Sequence, residues 1–350
     1  MFRSISHAVA TILFFDITKD DEKLFNNYLV LSLLLANKLK QLKAITETKY
    51  DTLVLIDKPT ACQLKKTNKL HLLTNAFDKV IVSDNHEAFF LKIELWNIIT
   101  NYSSIVYLDS DCFIKTEKAL DLLFEESAGI AENIVACNET TWPDMFNTGV
   151  FAINNKTALS YKKLVEHSKI FNELCKSNNE EVELYDNLDQ GLLNYVFSNS
   201  WKNMSYVYNV QVRGECDKSA NNYSDPSETY FLLKENNESK PPEKNTPLDT
   251  GYFAYANKTL KNSKQKKFLN KAVIVQFMEK PWEGPIMDYV APEYYLSFNK
   301  MKQEVCEQEE VKDTKTRKTP EKPKIEKETT FKFPWIEYEN FPTTNTREWR

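Results

Sequence analysis

Cysteine is scarce and scattered in this chain. Six occur among 350 residues, Cys62, Cys112, Cys137, Cys175, Cys216 and Cys306, with no CxxC pair and no histidine at zinc-like spacing. That pattern speaks against a zinc site, and the six read as reduced thiols. Long apolar runs are missing too. The opening, MFRSISHAVATILFFD, has one Arg and an apolar stretch at the short edge of a signal peptide and far below a membrane span, so it reads as a first strand. Excess positive charge is also lacking: a formal net charge of −5 gives no electrostatic reason to expect a nucleic acid or an anionic membrane as partner. Neither partner is expected, and the chain is expected in the cytoplasm. The Asn-x-Ser/Thr sequons, such as Asn101 and Asn155, read as chance in an Asn-rich chain without a secretion signal.

What is present is a large core. With 42% hydrophobic and 27% charged residues, the chain has material for one large domain or two modest ones. Apolar runs alternate with stretches of helical spacing, the pattern of an α/β protein with a mainly parallel sheet. Strands are expected at 9–15, 51–56, 79–83 and 104–108. Helices are expected at 27–41, 60–72 and 86–100, with a further helical run beginning at Gln190. From about 203 the character turns polar, and an insertion is expected over about 212–262. After Phe298 the chain is nearly all charged or Pro, so a disordered linker is expected at 301–330. It ends in the aromatic cluster at 331–338, which reads as a partner motif over Phe331 to Arg350, either held in a partner's groove or docked back on the chain. Residues 1–300 would then form one catalytic domain.

The sequence Asp109-Ser110-Asp111-Cys112 follows the strand at 104–108. Two carboxylates one residue apart beyond the carboxyl end of a buried strand can face a shared space, where hard oxygen ligands suit Mg²⁺ or Mn²⁺ and leave coordination positions for phosphate oxygens. An Asp pair in a strand-to-helix turn can equally serve only as a helix cap. Four more segments accompany it: Lys92-Ile93-Glu94-Leu95-Trp96, Trp142 to Val150 (WPDMFNTGV), Asp186 to Asn194 (DNLDQGLLN) and Lys280-Pro281-Trp282. Lys92 can reach a donor's phosphate side, or be a surface helix lysine. Asp144 and Asn147 offer groups suited to sugar hydroxyls, and Gly149 lets backbone approach closely. Asp186 and Asp189 can cap the helix they begin.

In order and spacing these segments resemble the glycogenin family, within the family-eight retaining glycosyltransferases, over roughly residues 8 to 290. The resemblance implies a GT-A type nucleotide-diphospho-sugar transferase fold. It implies a retaining transfer of glucose from UDP-glucose to the protein's own tyrosine and then to a short α-1,4-glucan that primes glycogen synthesis. It further implies Asp109 and Asp111 as ligands of Mn²⁺ (or Mg²⁺), Asp189 near the anomeric carbon, Asp186 near the acceptor hydroxyl and Lys280 on the diphosphate. Lys92, Asp144, Asn147, Thr148, Gly149 and Gln190 would bind the donor substrate, Lys92 on its phosphate side. The acceptor is expected at Tyr252 or Tyr255, the assembly is expected to be a homodimer, and the Phe-Pro-Trp tail looks like that of fungal members, which binds glycogen synthase. Where the family has His-Phe-x-Gly-x-x-Lys-Pro-Trp, this chain reads Gln276-Phe277-Met278-Glu279-Lys280-Pro281-Trp282. Gln276 therefore stands where the third metal ligand is expected. The family's Arg-Pro-Glu-Leu before the Lys92 helix is absent. A catalytically impaired scaffold that binds glycogen synthase is the alternative.

Overall fold

The computed structural model describes residues 6–15, 22–84, 88–139, 145–177, 182, 188–213, 252–254, 272–278, 280–283, 287 and 290–315. Strand β1 (His7–Leu13) pairs in parallel with β2 (Tyr50–Asp57) on one side and β4 (Ser104–Leu108) on the other, and β2 pairs in parallel with β3 (Lys79–Ser83). After the short β5 (Cys112–Ile114), β6 (Ile134–Asn138) and β7 (Phe146–Asn154) run antiparallel to each other, and β7 antiparallel to β4. With β8 (Trp201–Asn203) at the edge, the central sheet has seven strands in the order β3-β2-β1-β4-β7-β6-β8. A second sheet of four strands, β10-β9-β11-β5, gathers β9 (Val210–Arg213), β10 (Tyr252–Ala254) and β11 (Ile274–Phe277) onto β5.

Every residue of β2, β4 and β7 is buried, as expected for strands covered on both faces. Alternation divides the two faces. Val54 and Ile56 point into a cluster built on α1 (Glu22–Lys43), whereas Leu53 and Leu55 join a cluster around Trp96, Tyr107 and Phe151. Each fully buried aliphatic side chain contributes about 1.5–3 kcal/mol. Trp96 stacks between Phe151 (6.0 Å between ring centroids) and Phe197 (5.4 Å).

The helix expected over 60–72 is two helices, α2 (Lys58–Lys66) and α3 (Leu70–Ala76). Asn68 separates them with φ at 57°, the left-handed conformation that Asn tolerates. Its N–H donates to Lys65 O and that of Lys69 to Leu64 O, a paired closure that ends α2. The helix expected over 86–100 also divides, into α4 (Ala88–Ile93) and α5 (Leu95–Ile98). Here the N–H groups of Asn97 and Ile98 both donate to Glu94 O, while Tyr161 holds the Glu94 carboxylate. Beyond them come α6 (Ala119–Ala128), α7 (Tyr161–Lys176) and α8 (Asp189–Phe197).

The charged run expected as linker from residue 301 begins as helix: α9 spans Pro292–Lys315. Tyr294, Phe298, Met301 and Val305 recur at helical spacing and pack into the cluster on α1, which gives this segment an apolar seam that its charge content hides. Residues 316–350, including the partner motif from Phe331, lie outside the described residues.

Candidate active site

At Asp109 the chain leaves β4. Its N–H still donates to Gly149 O on β7 (2.8 Å), and Cys112 N–H then closes the turn onto Asp109 O (3.0 Å). From the second sheet, Phe277 N–H of β11 donates to Asp111 O (3.1 Å). The two carboxylates therefore sit at the junction of the two sheets, beyond the carboxyl end of β4. This is the expected position for a ligand site in an open α/β sheet.

Each carboxylate meets an ammonium. Lys92 is almost completely buried and lies 2.5 Å from Asp189 Oδ2 and 3.4 Å from Asp109 Oδ1, above the ring of Tyr107 at 4.6 Å. It also donates to Thr148 O at 3.2 Å. The reach of Lys92 toward a donor's phosphates is thus replaced by a bridge between two carboxylates. Tyr107 donates its hydroxyl to Asp109 Oδ1 (2.6 Å), and the Thr148 hydroxyl donates to Asp189 Oδ2 (2.8 Å). Lys280 pairs with Asp111 Oδ2 and donates to Phe277 O at 2.9 Å.

These contacts set the charges. Burial alone pulls the Lys92 ammonium down, but Asp109 and Asp189 outweigh it and hold Lys92 above the usual lysine range. Burial likewise works to raise Asp189, but Lys92 and the Thr148 hydroxyl keep it below the ordinary carboxylate value. Asp109 is raised, by burial first, with Lys92 opposing and Asp111 and Asp189 adding to the rise. Lys280, pulled down by burial, is lifted above its usual value by Asp111.

Gln276 enters from β11. Its Nε2 donates to Asp109 Oδ2 at 3.1 Å, and its amide fills the space beside Gly149: a Cβ there would lie 2.5 Å from Gln276 Cδ. The backbone gap that the sequence assigns to a sugar is taken by this side chain.

A second polar group adjoins the first. Buried Glu139 accepts both Asn147 Nδ2 (2.9 Å) and Gln190 Nε2 (2.9 Å). The Asn147 oxygen in turn accepts Gly149 N–H (2.7 Å) and Asn209 Nδ2 (2.7 Å), and Gln190 Oε1 accepts Thr148 N–H (3.2 Å). Sequence reasoning missed Glu139 and Asn209. Glu139 follows β6 by one residue, outside every motif, although a carboxylate just past a buried strand was a visible signal.

Of the residues singled out from sequence, Asp109, Asp111, Lys92, Asn147, Thr148, Gly149, Asp189, Gln190, Gln276 and Lys280 converge here. Asp144, Asp186 and Tyr255 lie outside the described residues. Tyr252 opens β10, where it pairs with Gln211, the residue that also pairs with Gln276; Tyr252 and Gln276 thus share a register row two strands apart, roughly 10 Å in the sheet.

A family profile described as glycosyl transferase family 8 matches residues 17–286, more than half of the chain. The chain belongs to glycosyl transferase family 8. It is 33% identical over 127 residues to a glycogenin of Neurospora crassa (36% of this chain, 16% of that protein) and 34% identical over 125 residues to glycogenin-1 of Oryctolagus cuniculus (34% and 31%). It is 26% identical over 205 residues to glycogenin-1 of Saccharomyces cerevisiae (53% and 30%). The matched segment spans less than a third of each of these relatives' length. Among solved structures, an active-site mutant of LgtC superposes with a TM-score of 0.50 at 12% identity, covering 84% of this chain and 95% of that one. That likeness speaks for the fold, a GT-A-like α/β transferase.

Transferases of this fold generally use a divalent metal ion. Among the described residues no group of three His, Cys, Asp or Glu side chains is arranged to hold one. The residues present nonetheless fit such an ion: Asp111 Oδ1 and Gln276 Oε1 are both buried with no hydrogen-bond partner, both are acceptors only, and three carboxylates face two ammoniums. An all-oxygen donor set of Asp109, Asp111 and the Gln276 amide suits Mg²⁺ or Mn²⁺. No helix among the described residues is long and apolar enough to cross a membrane.

Proposed function

We propose that this family 8 glycosyltransferase is a glycogenin-like glucosyltransferase that takes glucose from UDP-glucose, with retention, and passes it first to its own tyrosine and then to a short α-1,4-glucan that primes glycogen synthesis. The observation that carries this reading is the meeting of Asp109 and Asp189 on the Lys92 ammonium, with Asp111 and Lys280 beside them. A cation-binding carboxylate pair and a carboxylate suited to the anomeric carbon then belong to one site.

In this reading Asp109, Asp111 and Gln276 hold the metal ion, which when bound neutralises charge on the departing diphosphate. Lys280 adds a second positive charge on the diphosphate side, strongest in effect as the leaving charge develops. Lys92 keeps Asp189 ionised and fixed against the face of the sugar, with Thr148 as its second tether. Asp144, Asn147, Thr148 and Gln190 orient the sugar, Gly149 makes room for the Gln276 side chain, Asp186 lies by the acceptor, and Tyr252 or Tyr255 is the acceptor. The bond from the anomeric carbon to the phosphate oxygen breaks as one to the hydroxyl oxygen forms on the same face, and the hydroxyl proton leaves with the diphosphate. Holding the reactants in place and stabilising the leaving group supply most of the barrier reduction.

A catalytic domain that takes in α9 is followed by a linker and by Phe331–Arg350, which docks glycogen synthase; the assembly is a cytoplasmic homodimer. Intact-mass spectrometry of the full chain after incubation with UDP-glucose and Mn²⁺ tests the reading. A ladder of hexose additions that vanishes in Asp111→Ala supports it, and an unchanged mass contradicts it. One observation favours a second reading, a scaffold with impaired catalysis: Gln276 and Lys280 already donate to the two metal-binding carboxylates. An unchanged mass together with retained glycogen synthase binding would establish that alternative.

A further inference from the structure

The four oxygens of Asp109 and Asp111 are unequally occupied. Asp109 Oδ1 accepts Tyr107 and Lys92, Asp109 Oδ2 accepts Gln276, Asp111 Oδ2 holds Lys280, and Asp111 Oδ1 has no partner. A cation entering at Asp111 Oδ1 comes within a carboxylate's width of an ammonium. Two positive charges at that separation, in a site where Lys280 is only 15% exposed and Asp111 only 9%, repel strongly because little water screens them.

Lys280 does not reach this place by chance of a floppy side chain. It opens a turn closed by Glu283 N–H on Lys280 O (2.9 Å) and by Lys280 N–H on Glu283 Oε2 (2.8 Å). Trp282 pins that turn edge-on to Tyr28 of α1 (5.1 Å) and against Phe298 of α9 (6.2 Å). The turn delivers the ammonium to Asp111 from a fixed base, and the side chain alone has freedom to swing away.

We infer that Lys280 is a built-in competitor for the divalent cation: it neutralises Asp111 while no ion is bound, and the ion must displace it. The displaced ammonium lies next to the site where the diphosphate would bind, so metal and nucleotide reinforce each other. This rests on the metal-binding reading above and adds the residue that sets the affinity. Removing the competitor strengthens metal binding, whereas a residue that merely assisted the metal would weaken it when removed.

The test is titration of Mn²⁺ into the full chain without nucleotide, with free Mn²⁺ followed by electron paramagnetic resonance, for the wild type, Lys280→Met and Lys280→Arg. The expected result is binding tighter by about tenfold or more in Lys280→Met, because an uncompensated buried carboxylate is left to the metal. Lys280→Arg should bind severalfold more weakly than the wild type, since a guanidinium can hold Asp111 through two hydrogen bonds. Should Lys280→Met not fold, unchanged or tighter binding in Lys280→Arg overturns the competition by itself. Wild-type binding with no gain in Lys280→Met overturns the competition and leaves the metal site standing. Absence of Mn²⁺ binding in all three proteins overturns both.

Discussion

The Gln276 side chain lies in the space that Gly149 leaves open by lacking a Cβ. One strand of each sheet contributes, β7 and β11, so this contact locks the sheets together beside Asp109. The substitution Gly149→Ala forces the amide off Asp109 Oδ2. A hydrogen bond to a charged group contributes about 1.5–3 kcal/mol, so thermal melting should show a loss of that order. Mn²⁺ affinity should fall with it, and unchanged metal binding would remove Gln276 from the ligand set.

Lys92→Met leaves Asp109 and Asp189 facing each other with no ammonium between them. Breaking a buried pair in this way costs about 3–5 kcal/mol, read as a shift in the urea midpoint. The double variant Lys92→Met with Asp189→Asn should recover part of that loss, because the stranded charge is gone. Additive losses would mean the two residues do not interact.

Glu139→Leu removes the one carboxylate oxygen, Oε2, that accepts both amide donors. Asn147 and Gln190 then lose the partner that sets their orientation. Calorimetry should show weaker binding of UDP-glucose with UDP affinity little changed, since only the sugar-facing groups are disturbed. Equal losses for both ligands would place the Glu139 network outside the sugar subsite.

Acid stability follows from Asp78, far from the site. Burial works to raise this carboxyl, but Lys43 and the Thr52 amide and hydroxyl outweigh it, so its folded value lies below 3.8. A group depressed in the folded state contributes stability above its unfolded value and loses it as pH falls through the folded one. Asp78→Asn should therefore cost about 1 kcal/mol near neutral pH, kept small by a side chain 40% exposed, and almost nothing in strong acid. Urea denaturation at about pH 7 and about pH 2.5 measures the difference.

Strands at 79–83 and 104–108 were legible to the residue, because β-branched runs bounded by polar residues have one reading. The break at Asn68 was not, since apolar spacing continues across it and a left-handed residue leaves no mark on that spacing. Helix α9 hid for the opposite reason: four seam residues are outnumbered by charge. The second sheet was illegible because its strands are three or four residues long and come from positions as far apart as 112 and 277. At the site, Asp109, Asp111, Asp189 and Lys280 stood in recognisable motifs, so their convergence was expected. What Lys92 and Gly149 touch was not, because a motif records residue types and not which neighbour satisfies them. The glycine faces a protein side chain and the lysine bridges two carboxylates.

The central claim is that one site holds the cation, the diphosphate and the sugar. Crystals of the full chain soaked with Mn²⁺ and UDP-glucose, measured for manganese anomalous scattering, test it most directly. The account predicts a peak coordinated by Asp109, Asp111 and the Gln276 oxygen, with the diphosphate on the ion and the anomeric carbon facing Asp189. A nucleotide bound elsewhere, or a peak that avoids Asp111, would contradict it.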